Sequence, residues 1–238
     1  RNSVSLYDDI YSTPGQKKYY VVNNVLETFT SKVGQFVEIM NLEEFGNALF
    51  IDHEIQVAEK DEKIYSSTFF KSSDELSKKN NNIAIIGGGD GGVARECLDN
   101  NTNYIDWYEL DPEIVESCYR HLPKVCSKVK KSNTVNTFWG DAFESIKSVE
   151  NSKYDKIFVD LNDDQYCIDL ARKNMKGLKR ILKPGGIITA QVGSKDKKPK
   201  QVANWCKVLQ KSFGNVNISG VHVPSFDCNW NFASSVMK

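Results

Sequence analysis

The chain is 238 residues long, enough to bury a substantial core in one domain or one and a half. Its 31 basic residues balance 31 acidic ones, so the charge implies neither a nucleic-acid nor an anionic-membrane partner. The longest apolar runs are strand-sized, so neither a transmembrane helix nor a signal peptide is expected.

Taken in order, residues 19–29, 36–42 and 48–57 read as strands, with Phe45-Gly46-Asn47 as the turn between the last two. A small antiparallel β domain over residues 1–57 is therefore expected. Residues 61–70 read as a helix with Ile64, Tyr65 and Phe69 on or beside one face, and the polar, lysine-rich stretch 72–82 as a loop. From Ile83 the pattern changes. Strands over 83–86, 104–108, 134–138, 156–159 and 187–191 alternate with helices over 91–100, 112–121, 142–149, 168–182 and 200–213. Two more strands, near 216–223 and 232–236, close the chain. Such alternation predicts an α/β domain over residues 58–238, a doubly wound, mostly parallel sheet with ligands at the carboxyl ends of its strands.

Cys97, Cys118, Cys126, Cys167, Cys206 and Cys228 form no C-x-x-C pair, and the three histidines are scattered. This reads as reduced, mostly buried thiols of a cytoplasmic protein, with no zinc site and no disulfide framework. Trp107, Trp139 and Trp205 are expected in the core and Trp230 at a site, while the lysine run over 195–200 reads as a solvated face.

The stretch Ile83-Ala84-Ile85-Ile86-Gly87-Gly88-Gly89-Asp90-Gly91-Gly92 is a buried strand followed by a glycine turn and a helix start. Gly87, Gly89 and Gly92 fit G-x-G-x-x-G, which brings backbone N–H groups against a nucleotide. Glu109 follows about 20 residues on, the spacing at which a ribose is held. Asp90 narrows the choice. A carboxylate in this turn repels the pyrophosphate of a dinucleotide and favours a cationic nucleoside such as a sulfonium. Asp141 and Asp160 end or follow the next two parallel strands, and Asp160-Leu161-Asn162-Asp163-Asp164 crowds three carboxylates into one loop. A single Asp there could be a helix cap. A whole rim of them implies cations, and with no histidine or calcium-loop spacing nearby the implied cation is organic and no metal is expected.

These residues resemble those of the polyamine aminopropyltransferases, the spermidine and spermine synthases, over nearly the whole chain. Gly87 to Gly92 with Arg95-Glu96 resembles their nucleotide loop, Tyr108-Glu109-Leu110-Asp111 their V-E-I-D, and Gly140-Asp141-Ala142 their G-D-G/A. Gln35 and Asn47 fall in the frame Q-x-I-x-x-x-x-x-x-x-F/Y-G-N; Asp52 to Gln56 resembles L-D-G-x-x-Q; Glu59 to Tyr65 resembles E-R-D-E-x-x-Y. Asp160-x-x-Asp163 is similar to D-S-S-D, and Val223 to Phe226 with Trp230 to I-P-T-Y…W.

The resemblance implies a class I methyltransferase-like Rossmann fold, a homodimer, and two small-molecule partners, a polyamine and a nucleoside sulfonium. The sulfonium would be decarboxylated S-adenosylmethionine, held by Gln35, Gln56, Gly87, Gly89, Glu109 and Asp141, with Asp90 facing its aminopropyl ammonium. Tyr65, Asp160, Asp163, Asp164 and Trp230 would line the polyamine site, with Asp160 as the base. Four residues depart from the pattern. Ser66 replaces Gln or His, Leu161 the first serine of D-S-S-D, Asp164 the following proline, and Gly220 a tyrosine common in putrescine enzymes. They read as vacated space plus one carboxylate, so a triamine is expected to compete with putrescine. Two alternatives stay open: an N-methyltransferase using intact S-adenosylmethionine, and a non-catalytic polyamine-binding homologue.

Overall fold

The computed structural model describes residues 5–9 and 14–238; residues 1–4 and 10–13, part of the expected N-terminal domain, lie outside the described residues. The first five strands form an antiparallel meander in chain order: β1 (Ser5–Asp8), β2 (Tyr19–Thr30), β3 (Phe36–Leu42), β4 (Gly46–Ile51) and β5 (Glu54–Ala58). One face buries Val37, Ile39, Leu49 and Val57 against α3 (Pro112–His121) and α4 (Pro123–Lys131) of the larger sheet's layer. The other buries Tyr20, Met40, Leu42 and Phe50.

The second sheet has seven strands in the order β11-β12-β10-β9-β6-β7-β8. β6 (Asn82–Gly87), β7 (Tyr104–Glu109), β8 (Val135–Trp139), β9 (Tyr154–Asp160) and β10 (Leu182–Gly193) are parallel. β12 (Cys228–Val236) runs antiparallel between β10 and β11 (Asn217–Val223). The mostly parallel α/β sheet and the antiparallel N-terminal sheet expected from the sequence are both present. Alternate residues of β6 face opposite layers, which explains its unbroken apolar run. Ala84 and Ile86 pack under α6 (Gln165–Ile181) and α7 (Pro199–Phe213); Ile83 and Ile85 pack under α1 (Glu62–Asp74) and α2 (Gly92–Asp99). The strand order reverses at β6, with β7 on one side and β9 on the other, and this opens a crevice at its carboxyl end.

Several elements differ from the sequence expectation, each for a local reason. Residues 48–57 are a hairpin, not one strand, because Asp52 and His53 both adopt positive φ, +48° and +69°. Asp-His lacks the glycine that marks such a turn. α1 continues to Asp74 through the supposed loop, since the Ser72 and Ser73 hydroxyls donate to the Thr68 and Phe70 carbonyls and travel with the helix into the interior. α4 is an additional helix beyond those expected from the sequence; Pro123 opens it, and Val125, Cys126 and Val129 share its buried side. Residues 142–149 shorten to α5 (Ala142–Ser145) and a 3-10 turn (Ile146–Ser148). Trp139, expected in the core, is 47 % exposed because β8 is an edge strand; Trp107 and Trp205 are buried.

The crevice depends on close approach of two backbones. Gly87 has φ +84°, and a Cβ there would press on the carbonyl oxygen of Asp160, its register partner in β9. That oxygen accepts the Gly88 N–H at 3.1 Å. Gly87→Ala therefore meets both a left-handed backbone and a rigid neighbour, and is expected to destabilise the protein by about 2–4 kcal/mol. A denaturant midpoint unchanged from wild type would refute this.

Candidate active site

A cavity of about 520 Å³ opens at the carboxyl ends of β6, β7, β8 and β9, and the N-terminal sheet forms its opposite wall. Gly87, Glu109 and Asp160 are the last residues of β6, β7 and β9, and Gly89, Asp90 and Asp141 lie in the turns that follow β6 and β8. Asp163 and Asp164 lie on the loop after β9, Tyr65 on α1, Trp230 on β12, and Gln35 and Gln56 on the small sheet's side. Every site residue expected from the sequence thus lines one cavity.

Each is held by its element. The glycine turn puts Asp90 Oδ1 where it accepts the Gly92 N–H at 2.7 Å. Asp141 caps α5 by accepting from Phe143 N (2.9 Å), and Asp164 caps α6 by accepting from Cys167 N (2.8 Å), so both carry a structural task as well. Gln35 donates through Nε2 to Asp111 Oδ2 at 3.1 Å. Gln56 donates to the Glu54 carbonyl at 3.2 Å. Tyr65 donates its phenol proton to Asp160 Oδ1 at 2.8 Å. Asp163 is buried, with Lys198 Nζ 3.8 Å from its Oδ2.

The departures Ser66 and Gly220 do not face this space. Ser66 turns beneath the glycine turn and donates to Glu62 Oε1 at 2.6 Å, and Glu62 in turn pairs with Arg95 at 2.5 Å. Gly220 lies in β11 against Asn231. Of the expected vacated positions only Leu161 lines the cavity.

Other lining residues escaped the sequence reading. Gln191 is a buried amide in an apolar strand, and that mismatch was its available signal. It donates to the Leu161 carbonyl and accepts from Trp230 Nε1 at 2.9 Å, tying the acidic loop to the aromatic wall. Asp61 works similarly from outside the cavity. Its carboxylate accepts from Ser225 N (2.7 Å) and Oγ (2.9 Å), and Tyr20 donates to the Ser225 carbonyl at 2.6 Å. The turn Pro224–Phe226 is thereby fixed with Phe226 4.9 Å from Trp230 and 6.1 Å from Tyr65, ring to ring. Glu54, on β5, and Tyr166, on α6, complete the rim with no sequence signal of their own.

Burial dominates the electrostatics. It pushes Asp160 up to about 6, with Glu62 adding to the rise and the Tyr65 hydroxyl opposing it. Asp90 is held well above the carboxylate range by burial and then by Asp160 and Glu62. Burial, with Asp111 and Asp160 beside it, takes Glu109 to about 8. Burial and the adjacent Asp160 also lift the Tyr65 phenol far above its usual value. Three carboxyl groups desolvated by burial face one cavity, with room for further donors and for positive charge. Such a site takes a ligand bringing both.

Comparison with known proteins gives a consistent pattern. Residues 62–238 match the spermine/spermidine synthase domain, and residues 7–59 the spermidine synthase tetramerisation domain. A polyamine aminopropyltransferase of Korarchaeum cryptofilum is 28 % identical over 225 residues, covering 94 % of this chain and 70 % of the relative. Another, from Prochlorococcus marinus NATL1A, is 32 % identical over 210 residues, covering 84 % and 72 %. Among solved structures, a spermidine synthase in complex with the transition-state analogue AdoDATO superposes with TM-score 0.90 at 17 % identity, covering 98 % of this chain and 80 % of that one. The Thermotoga maritima spermidine synthase superposes with TM-score 0.86 at 18 % identity, covering 98 % and 79 %.

The raised Asp160 has a consequence for stability. In the folded protein its carboxyl keeps a proton up to about pH 6, whereas the unfolded chain loses it near 3.8. Stability is therefore lost as pH rises through that window, and the whole cost is present above it. Asp160→Asn is expected to stabilise the ligand-free protein by up to about 3 kcal/mol at pH 8 and to leave it unchanged at pH 3. Urea unfolding at both pH values measures this; an equal gain at both would show that the effect is not one of charge.

Proposed function

This chain belongs to the spermine/spermidine synthase family, and from that premise we propose that it transfers an aminopropyl group from decarboxylated S-adenosylmethionine to a polyamine amine, releasing methylthioadenosine. The observation that carries this is the set of desolvated carboxyls, Asp90, Glu109 and Asp160, at the ends of three adjacent strands in one cavity.

In this reading the donor brings two positive charges into that set. Its aminopropyl ammonium faces Asp90, its ribose hydroxyls donate to Glu109 and lie beside Gln35, and its adenine amino group is taken by Asp141. Gly87 and Gly89 let the nucleoside approach the backbone, and Gln56 closes the far wall. The acceptor lies along Tyr65, Trp230, Asp163 and Asp164, with its reacting nitrogen at Asp160. That nitrogen's lone pair attacks the propyl carbon bound to sulfur, in line with the C–S bond. The C–S electrons leave on sulfur, giving a neutral thioether, and the nitrogen's proton passes to Asp160. Tyr65, donating to the same carboxylate, fixes which Asp160 oxygen is left for the amine. The leaving group needs no acid, and no step requires a metal.

An N-methyltransferase on the same fold would place the carboxylate of intact S-adenosylmethionine against Asp90. Like charges in a desolvated pocket disfavour that arrangement. A non-catalytic binder would not need the Asp160 carboxylate held in one orientation by Tyr65.

Incubation with the decarboxylated donor and a panel of amines, with products identified by mass, tests the proposal. Methylthioadenosine and an amine heavier by one aminopropyl unit are expected; a methylated amine would overturn it. Asp160→Asn is expected to lower turnover by about 10²–10⁴. Asp90→Asn is expected to weaken the decarboxylated donor and improve intact S-adenosylmethionine; equal weakening of both would show Asp90 to be structural only.

We also propose self-association through the small sheet. Tyr19, Val25 and Leu26 expose apolar side chains on β2, within the segment that matches the tetramerisation domain, and Leu6 exposes another on β1 just before it. A homodimer is the sequence expectation, and the family description extends it to a tetramer. Sedimentation equilibrium is expected to show an oligomer that Val25→Glu weakens; a monomer at all concentrations would refute it. No helix among the described residues is long and apolar enough to cross a membrane.

A further inference from the structure

Behind the glycine turn and outside the cavity lies one more buried carboxylate, Glu62, which opens α1. A side chain on Gly92 would put its Cβ 2.0 Å from Glu62 Oε1, 2.6 Å from Ser66 Oγ and 2.9 Å from Asp90 Oδ1. These three oxygens converge on one point beside the turn. The Ser66 hydroxyl has a single proton and donates it to Glu62 Oε1 at 2.6 Å, so it has none for Asp90. Asp90 Oδ1 accepts the Gly92 N–H at 2.7 Å.

The neighbouring cation is taken. Arg95 gives Nη1 to Glu62 at 2.5 Å and Nη2 to Glu96 at 3.1 Å, and its Nε lies 3.8 Å from Asp99. Every element packed around Asp90 contributes a group that faces it: Glu62 and Tyr65 from α1, Arg95 from α2, Cys118 from α3, Cys126 from α4, and Asp160 from β9. Burial keeps the tyrosine and both thiols neutral, because it pushes their ionisation upward. Burial likewise raises Asp90, then Asp160 and Glu62 raise it further, while the Gly92 N–H and Arg95 oppose them. Asp90 thus stands between two acids, one inside the cavity and one behind it.

We propose that Glu62 is a positioning residue for donor capture: held by Ser66 and Arg95, it keeps Asp90 protonated in the empty site, so that an ammonium enters there in exchange for a proton. The inference rests on the aminopropyltransferase reading and adds to it the fate of charge as donor and product pass through. On donor binding the Asp90 O–H bond breaks and its proton goes to solvent. The ammonium keeps its own hydrogens and becomes the counter-charge of the carboxylate. After transfer that ammonium belongs to the elongated polyamine, and methylthioadenosine is neutral. Asp90 then recovers a proton, and the product nucleoside has no ion pair to break on leaving.

The test is calorimetric titration of the full chain without any amine, using decarboxylated S-adenosylmethionine and methylthioadenosine as probes. Its readout is the ratio of their dissociation constants between about pH 6.5 and 9. In the wild type the preference for the donor is expected to rise about ten-fold per pH unit and then level off, because each donor displaces one proton. Glu62→Gln is expected to bring the levelling about one pH unit earlier, at a plateau about ten-fold lower. A merely structural Glu62 would weaken both probes and leave that pH unmoved. Should Arg95 without its partner prevent folding, Glu62→Gln combined with Arg95→Gln removes the buried pair together. That variant is expected to move the levelling the same way, since Glu62 outweighs Arg95 at Asp90. A plateau at wild-type height and pH overturns the proposal, as does a wild-type preference that ignores pH. Failure of the wild type to bind the decarboxylated donor would overturn the transfer reading as well, whereas an unmoved plateau overturns this inference alone.

Discussion

The structure is organised around the cost of holding carboxyl groups out of water at one edge of a sheet. Asp90, Glu109 and Asp160 are each displaced upward from the ordinary carboxylate range, and burial is the leading cause in every case. A protein keeps such groups only where something else repays their desolvation. A sulfonium nucleoside carrying an ammonium, followed by a polyamine, would supply charge at the same places. The empty site is then the unfavourable state and the loaded one the relaxed state.

Holding those groups together falls to residues that do not touch the cavity. Arg95 reaches Glu62 and Glu96 at 2.5 and 3.1 Å and also donates to the Val125 carbonyl, so one buried guanidinium compensates acids under the glycine turn. Glu62 also receives the Ser66 hydroxyl and packs on Gly92, where a side chain has no room. The Asp61–Ser225–Tyr20 cluster joins the first helix, the turn before β12 and the small sheet, which fixes the aromatic wall relative to the acidic rim. Breaking such buried pairs by removing one partner is costly, because the other is left charged and dry.

The residues that meet at the cavity are marked more plainly in the sequence than some elements of the scaffold, and for a physical reason. Residues at strand ends are marked by abrupt chemistry, glycine or carboxylate directly after an apolar run, as at Gly87, Glu109 and Asp160. Elements such as α4 and the β4–β5 hairpin carry weaker marks. α4 is short and lysine-rich, and the hairpin turns on Asp52 and His53 with no glycine. Ser66 and Gly220 show the reverse limit. Both stand at positions that a linear motif assigns to the site, yet helix rotation turns Ser66 toward Glu62 and strand pairing sets Gly220 on Asn231. Motif spacing gives the address of a residue but not the direction of its side chain.

The same electrostatics that gathers polyamines also opposes their reaction. A rim of carboxylates stabilises the ammonium form of the acceptor, whereas attack on carbon needs the free amine, and a free alkylamine holds its proton with a pKa near ~10. An Asp160 poised near 6 is a weak base for that task. Two features lessen the mismatch in the proposed complex. The donor's ammonium would neutralise Asp90, whose charge would otherwise help hold the proton on the acceptor amine. Its sulfonium, placed beside the reacting nitrogen, repels the ammonium and lowers the cost of losing the proton. Both terms exist only once the donor is bound. The nitrogen is therefore made nucleophilic by the molecule it is about to attack, and a site this acidic can hold polyamines without leaving their amines reactive when no donor is present.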